Sequence, residues 1–327
     1  MSSLVEGGIA IVLGATVSAL TCPALIRILV RHSVVDEAGI RSSHTGSIPR
    51  GGGVAIMLGS AAGFSMLLRS SAAGPLKWAV PFALLLGGLG LIDDVRTLSA
   101  RHRLLAQTSL ATAFVLASGV SPVASARWAG AALAVLWLVG FVNAFNFMDG
   151  INGISVGTAV VIAGSLSLSS ARWGSPTTAV AAAALLGAVA GFAPFNLVRA
   201  RLFMGDVGSY FVGGALALLA LVAIDDGVAV LAACLPFTLY VADVACTLFR
   251  RIRRRENLAT PHREHTYQLL ANGGWGHLQT TLFVTGMTLV LAAVGQLAGG
   301  LGGALAIAVA AAGILVVPIY LLMPSHR

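Results

Sequence analysis

Short polar interruptions in an otherwise apolar chain hold the residues able to do chemistry: Asp93 with Asp94, Asp149, Asp206, and the run from His262 to His265. Carboxylates are costly beside hydrocarbon, so aspartates at the ends of apolar segments are functional candidates first. In GLIDDVRTLSARHRLLAQ the adjacent Asp93 and Asp94 can hold a divalent cation or accept a proton. They close a helix, where the dipole disfavours negative charge, so Arg96, Arg101, Arg103 or a metal must compensate them. A salt-bridged surface turn is the competing explanation. Asp206, in RLFMGDVGSYF, opens a helix and suits N-cap duty there. Gly205, Gly208 and Ser209 around it also leave room for a metal and a phosphate at the helix N-terminus.

NAFNFMDGINGIS gathers Asn143, Asn146, Asp149 and Asn152 at the junction of two apolar segments. Amides donate and accept, which suits recognition of a nucleobase, a ribose or an acetamido group, although a plain turn also uses Asn, Asp and Gly. His262, Arg263 and His265 place three phosphate-directed donors in one short stretch, and the cysteines do not complete a zinc set with them. Asp243, in the preceding helix, is expected to orient this loop or to pair with one of its arginines. The five arginines between Arg250 and Arg255 read as topology signal and lipid head-group contact. In RSSHTGSIPRGGG, the glycines from Gly51 to Gly53 let backbone N–H groups approach a phosphate, with His44 and Arg50 as substrate-binding candidates. A flexible basic connection is the competing reading there.

The elements that must position these residues lie in a membrane. With 57% hydrophobic and 10% charged residues and a mean hydropathy of +0.91, the 327-residue chain reads as an all-α polytopic integral membrane protein, a single catalytic domain over residues 1–327. About eleven transmembrane helices are expected, ten being the alternative count: roughly 5–30, 52–68, 78–92, 104–119, 129–145, 153–169, 177–193, 207–223, 228–249, 278–298 and 301–323. The first has no basic residues before it and is expected to remain as a helix. Counted over alternate connections, sixteen of the 20 Lys and Arg residues fall on one side and four, Arg69, Lys77, Arg127 and Arg172, on the other. The positive-inside rule then puts the N-terminus outside, the C-terminus in the cytoplasm, and cytoplasmic loops near 31–52, 93–103, 143–153, 194–206 and 250–277. Every polar interruption falls on that one side. The net charge of +8 is accounted for by this orientation and by anionic lipids or substrates, with no nucleic acid. Cys22, Cys234 and Cys246 read as packing residues, and the abundant glycines as close helix packing. A secondary transporter would place its carboxylates near the bilayer midplane within repeated segments, and no repeat is evident.

Taken together, DDVRTLSARHRLLAQ, NAFNFMDGING, FNLVRARLFMGDVGS and PHREHTYQ resemble the polyprenyl-phosphate N-acetylhexosamine-1-phosphate transferase family, glycosyltransferase family 4. Its relatives include phospho-N-acetylmuramoyl-pentapeptide transferase, undecaprenyl-phosphate GlcNAc-1-phosphate transferase and the enzymes that start O-antigen, teichoic-acid and dolichol-linked glycans. The resemblance runs in motif order from about Arg41 to His277. It implies transfer of a sugar 1-phosphate from a UDP-N-acetylhexosamine to undecaprenyl or another polyprenyl phosphate, with UMP release. It also implies Mg2+, or Mn2+, as cofactor and a cytoplasm-facing site; the excess of Arg over Lys fits a bacterial gene and hence a bacterial inner membrane, and a homodimer is a candidate assembly. By the resemblance, Asp206 is the Mg2+ ligand, with Asp93 a second candidate ligand. Asp93, supported by Asp94, deprotonates or positions the lipid phosphate. Asn146, Asp149, Asn196 and Phe203 match nucleotide-binding positions, Phe203 suiting a stack on uracil; His262, Arg263 and the catalytic candidate His265 match a loop that contacts the pyrophosphate. Two departures stand out. Asn152 occupies a position where many bacterial relatives carry a second Asp, and PHREHTYQ lacks the three-histidine run of the peptidoglycan enzyme. The latter form is closer to O-antigen-type initiators acting on 6-deoxy-N-acetylhexosamines; the peptidoglycan transferase is the alternative within the class.

Overall fold

The computed structural model describes residues 3–36, 47–65, 67, 74–122, 126–258, 260 and 262–326, so His44 lies outside the described residues. Among these residues the chain forms eleven helices: α1 (Ser3–Arg31), α2 (Gly53–Phe64), α3 (Leu76–Arg96), α4 (Ala100–Ser118), α5 (Arg127–Met148) and α6 (Ile154–Trp173). There follow α7 (Pro176–Asn196), α8 (Gly205–Asp225), α9 (Val230–Arg253), α10 (Thr266–Gly299) and α11 (Gly303–Leu322). Nine of them are long and apolar enough to cross a membrane. The other two are α2, at 12 residues, and α4, whose first turn carries Arg101, His102 and Arg103.

Three of the long helices are compound, α11 being divided at Leu315 into Gly303–Ile314 and Val316–Leu322. Pro236 lies in a single 3-10 turn, Leu235–Phe237, that interrupts α9, and α10 is interrupted by a π-type turn, Ala271–Trp275, in which Gly274 has φ 103°. The expected segment at 278–298 therefore begins late: the helix starts at Thr266, and its first turns, before the glycine break, belong to the loop chemistry and not to the apolar span. Apart from helices, the described residues form one two-residue antiparallel pair, β1 (Val35–Asp36) with β2 (Ile48–Pro49), in which Val35 faces Pro49.

The core is organised around α8, whose residues from Val207 to Ala223 are buried without interruption. α3 and α5 flank it, with α2, α6 and α7 against its other sides, while α1 lies outside on α2 and α7 and α10 packs on α6, α9 and α11. Without a hydrophobic driving force between helices in lipid, close backbone approach through small residues holds such a bundle. The seam between α1 and α7 illustrates this. A Cβ added at Gly187 would sit 2.2 Å from the Ile11 carbonyl oxygen, and one at Gly191 would sit 2.2 Å from that of Ala15. Gly187→Ala is accordingly expected to lower the melting temperature in detergent, by overpacking worth roughly 1–3 kcal/mol. Gly164→Ala, whose Cβ would meet only a Leu186 methyl at 4.0 Å, is expected to leave it unchanged.

Candidate active site

Three segments meet at the first turn of α8. Gly90 brings α3 so close that an added Cβ would lie 2.2 Å from the Asp206 carbonyl oxygen, and one at Gly53 on α2 would lie 2.1 Å from the Gly208 Cα. Gly205, with φ +73°, turns the chain into the helix. Asp94 reaches across from α3 and caps it: Oδ1 accepts from the Asp206 amide at 3.1 Å and Oδ2 from the Val207 amide at 3.0 Å. The expected N-cap role of Asp206 thus passes to a residue of another helix, because α3 ends at that depth and its own dipole needs a compensating positive pole. Arg50 completes the compensation, its Nη2 donating to the Asp94 backbone oxygen at 2.6 Å and its Nε lying 3.8 Å from Oδ1.

Freed from capping, the half-buried Asp206 side chain accepts at Oδ1 from Asn146 Nδ2 of α5, 2.7 Å away. The second proton on that nitrogen goes to Ser209 Oγ at 2.8 Å. Asp93 is buried and fully engaged: Oδ2 accepts from Tyr210 Oη at 2.7 Å and faces Arg103 at 3.3 Å, and Oδ1 accepts from the Leu98 amide at 2.7 Å. Of the arginines expected to balance the aspartate pair, Arg103 takes Asp93, while Asp94 is balanced by Arg50 and a helix N-terminus. Tyr210 is the site residue that sequence reasoning did not single out. Its spacing from Asp206 along one helix is a visible signal, but its direction depends on how α8 is rotated.

The amides divide by role. Asn146 enters the acidic cluster. Asn143 donates to Gln107 Oε1 at 2.6 Å and to the Val139 carbonyl at 2.8 Å, tying α5 to α4. Asn196, buried, accepts from the Gly153 amide at 2.9 Å and donates to the Leu202 carbonyl at 3.1 Å, clamping two loops together. Asn152 joins the same clamp, with Nδ2 3.4 Å from the Val198 carbonyl and its own carbonyl accepting from Thr281 Oγ1 at 2.8 Å. Phe203 is half-buried and its backbone forms a bridge with Arg50; its carbonyl accepts from the Gly52 amide at 2.8 Å, which docks the glycine run onto the loop before α8.

Asp149 follows the last turn of α5. Burial, reinforced by the charges of Asp206 and Asp94, pushes its carboxyl from 3.8 up to about 7. Between those values only the folded state holds the proton, so the contribution of this group to stability falls as pH rises from about 3.8 to about 7. Asp149→Asn is expected to remove that decline, which a series of thermal melts across the range would check.

The histidine loop closes the opposite side. Tyr267 Oη donates to the Phe147 carbonyl at 2.9 Å, placing the loop on the segment between Asn146 and Asp149. The His265 ring lies 5.9 Å from that of Phe147 and 5.0 Å from that of His262, and its Nδ1 is 3.2 Å from Asp243 Oδ1. Burial, with the charges of His265 and Arg251, lowers the pKa of His262. Arg263 is half-buried in the same loop. Part of the arginine cluster has a duty beyond lipid contact: the buried Arg251 pairs with Glu256 at 2.9 Å and Glu264 at 2.5 Å, and Arg254 pairs with Glu264, so these side chains pin the loop.

Among the described residues no group of three or more His, Cys, Asp and Glu side chains has metal-site geometry. The chemistry of the donors nevertheless suits a hard cation. Asp94 pairs with Arg50 and Asp93 with Arg103, no cation pairs with Asp149 or Asp206 at ion-pair distance among the described residues, and oxygen donors with surplus negative charge select Mg2+ or Mn2+ over thiolate-loving metals. Asp206, whose carboxylate has Asn146 as its side-chain partner, is less engaged than Asp93 and Asp94. Such an acidic floor beside histidine and arginine donors can bind a metal-bound polyphosphate and stabilise charge moving between its oxygens.

Residues 77–224 match the family described as Glycosyl transferase family 4, a stretch from α3 into the last turn of α8 that holds all four aspartates. The chain is 28% identical over 301 residues to a probable undecaprenyl-phosphate N-acetylglucosaminyl 1-phosphate transferase of Bacillus subtilis, covering 85% of this chain and 82% of that protein. It is 27% identical to an undecaprenyl-phosphate alpha-N-acetylglucosaminyl 1-phosphate transferase of Thermotoga maritima, over 80% of each. It is 28% identical to a phospho-N-acetylmuramoyl-pentapeptide-transferase of Bacillus cytotoxicus, over 67% of this chain and 74% of that one. With its aspartates inside the matched stretch and transferases of one kind similar to it over most of its length, the chain carries a glycosyl transferase family 4 domain over residues 77–224 and is a multi-pass membrane phosphoglycosyltransferase.

Proposed function

We propose that this protein transfers an N-acetylhexosamine 1-phosphate from a UDP-sugar to undecaprenyl or another polyprenyl phosphate and releases UMP, starting a lipid-linked envelope glycan. An O-antigen or lipopolysaccharide precursor is the expected product. One observation carries the reading: α3, α5 and α8 bring Asp93, Asp94, Asn146 and Asp206 together at one helix N-terminus. An oxygen of the lipid phosphate attacks the sugar-bearing phosphorus. The bond from that phosphorus to the bridging oxygen breaks, and UMP leaves with the electron pair. Phosphoryl transfer of this kind needs alignment and charge neutralisation more than an activated side-chain nucleophile. A divalent cation held by Asp206 would supply much of that neutralisation.

The chain's own groups have separable tasks. The lipid phosphate is largely ionised at neutral pH, so no base is required of Asp93. With both oxygens engaged, Asp93 instead holds Arg103 where it can meet a phosphate. Asn146 keeps the Asp206 carboxylate in place, and the half-buried Phe203 offers a ring to the uracil. His262, Arg263 and His265 face the pyrophosphate. The surplus of basic residues in the connections at this end supports a site on the cytoplasmic face of the inner membrane.

The experiment is UMP release by detergent-purified protein given undecaprenyl phosphate, Mg2+ and a panel of UDP-N-acetylhexosamines, 6-deoxy sugars and UDP-N-acetylmuramoyl-pentapeptide included. Release that needs both lipid and metal establishes the reaction, and the best donor names the glycan. Release with the pentapeptide donor alone would transfer the protein to the peptidoglycan pathway. No release with any donor from folded protein would sink the proposal.

A further inference from the structure

We propose that Asp243 is a positioning residue for the transfer, acting through His265. Its consequence for turnover rests on the transferase reading given above; the side-chain arrangement does not. Asp243 lies on the last segment of α9 and is 0% exposed. Its Oδ1 accepts from the Thr266 amide at 3.1 Å and from Thr247 Oγ1 at 3.3 Å, and Oδ2 accepts from Tyr320 Oη of α11 at 2.6 Å. A buried carboxylate is strongly unfavourable unless its lone pairs are satisfied, and these three donors satisfy it as the anion. The arginines beside it on α9 are directed elsewhere, Arg250 to Thr247 and Arg251 to Glu256 and Glu264.

A carboxylate can only accept, so the 3.2 Å contact with His265 puts a proton on the Nδ1 of that ring. Nε2 becomes the working nitrogen. It is buried and has no hydrogen-bond partner among the described residues, in a ring 2% exposed and stacked near Phe147. Buried polar atoms are almost always paired, so an orphan next to the segment that carries Asn146 and Asp149 marks the place of a ligand atom. The chemistry on offer there suits a phosphate oxygen of the nucleotide donor. A carboxylate serving only the fold would need the Thr266 and Tyr320 contacts and no imidazole. Asp243 thus extends the machinery to α9 and α11, helices that contribute no other group to the acidic cluster.

Asp243→Asn keeps the size of the side chain and an acceptor for Thr266, and is expected to melt within a few degrees of the parent. UMP release should show kcat down by about 10- to 100-fold, the usual effect of losing an orienting partner, with KM for the UDP-sugar within about threefold. His265→Ala should lose at least as much, and the double variant no more than His265→Ala alone, because both changes act through one ring. A folded Asp243→Asn with kcat within about threefold of the parent, or losses that multiply in the double variant, would overturn the proposal. Should Asp243→Asn fail to fold, 15N spectra of histidine-labelled parent protein decide, the His265 signal being the one missing from His265→Ala. A ring protonated at Nδ1 supports the proposal, and a neutral ring protonated only at Nε2 overturns it. Absence of transfer with every donor would sink the transferase reading and leave the arrangement of Asp243 and His265 to the spectrum.

Discussion

Asp206→Asn is expected to lower UMP release by about 100- to 1,000-fold while the melting temperature stays near that of the parent. The two halves of this prediction have separate causes. Asp206 opens α8 but does not cap it, and its carboxylate accepts from Asn146 alone among neighbouring side chains, so an isosteric amide removes little that holds the fold. What the amide removes is an anionic oxygen available to a hard cation, and with it the alignment of the phosphates. Turnover and thermal melting on the same preparation check both halves. Ordinary turnover at ordinary Mg2+ would retire Asp206 as the metal ligand.

Asp94→Ala is expected to fail in the opposite order, losing stability first and activity only as a result. Its two oxygens serve the amides of Asp206 and Val207, at the start of the most buried helix in the molecule. Leaving two such donors unsatisfied costs on the order of 2–4 kcal/mol, and Arg50 loses its ion pair with the carboxylate while keeping its bond to the backbone oxygen. Asp94→Asn retains one acceptor oxygen and should recover roughly half of that loss. The fraction of folded protein after heating, set beside turnover per folded molecule, separates the two variants. If Asp94→Ala stayed as stable as the parent yet inactive, the capping account would be wrong and Asp94 would join the chemistry directly.

Much of this architecture was readable from residue types alone. Eleven apolar segments correspond to eleven helices among the described residues, because hydropathy in lipid is nearly a direct readout of helix existence. The aspartates could be nominated because each interrupts an apolar run. Their division of labour was not legible. Whether Asp94 or Asp206 caps α8 depends on the depth at which α3 stops, and that depth is set by glycine contacts between helices distant in sequence. Asn143, in a string of amides, and Asn196, matched by resemblance to a nucleotide-binding position, each have protein partners that the sequence does not show, Gln107 in one case and the backbone of Gly153 and Leu202 in the other. Tyr210 was hidden for the converse reason: an aromatic residue in a helix reads as core until its hydroxyl is seen on Asp93. Asp243 was named as an orienting residue, but its choice of His265 over an arginine follows from the path of the loop after α9, which Arg251 dictates.

The glycine contacts at Gly53 and Gly90 bear on how this enzyme can change. Because α2, α3 and α8 touch through main-chain atoms there, the separation between the carboxylates is insensitive to which side chains decorate those helices elsewhere. The described parts of the histidine loop, around Arg254 and from His262 to His265, are pinned instead by ion pairs between side chains that substitution can replace. Under the proposed function, donor preference can therefore drift in descendants of this protein while the carboxylate cluster keeps its dimensions. An inhibitor shaped to the carboxylate cluster would meet the same distances across those descendants, and one shaped to the histidine loop would tell them apart.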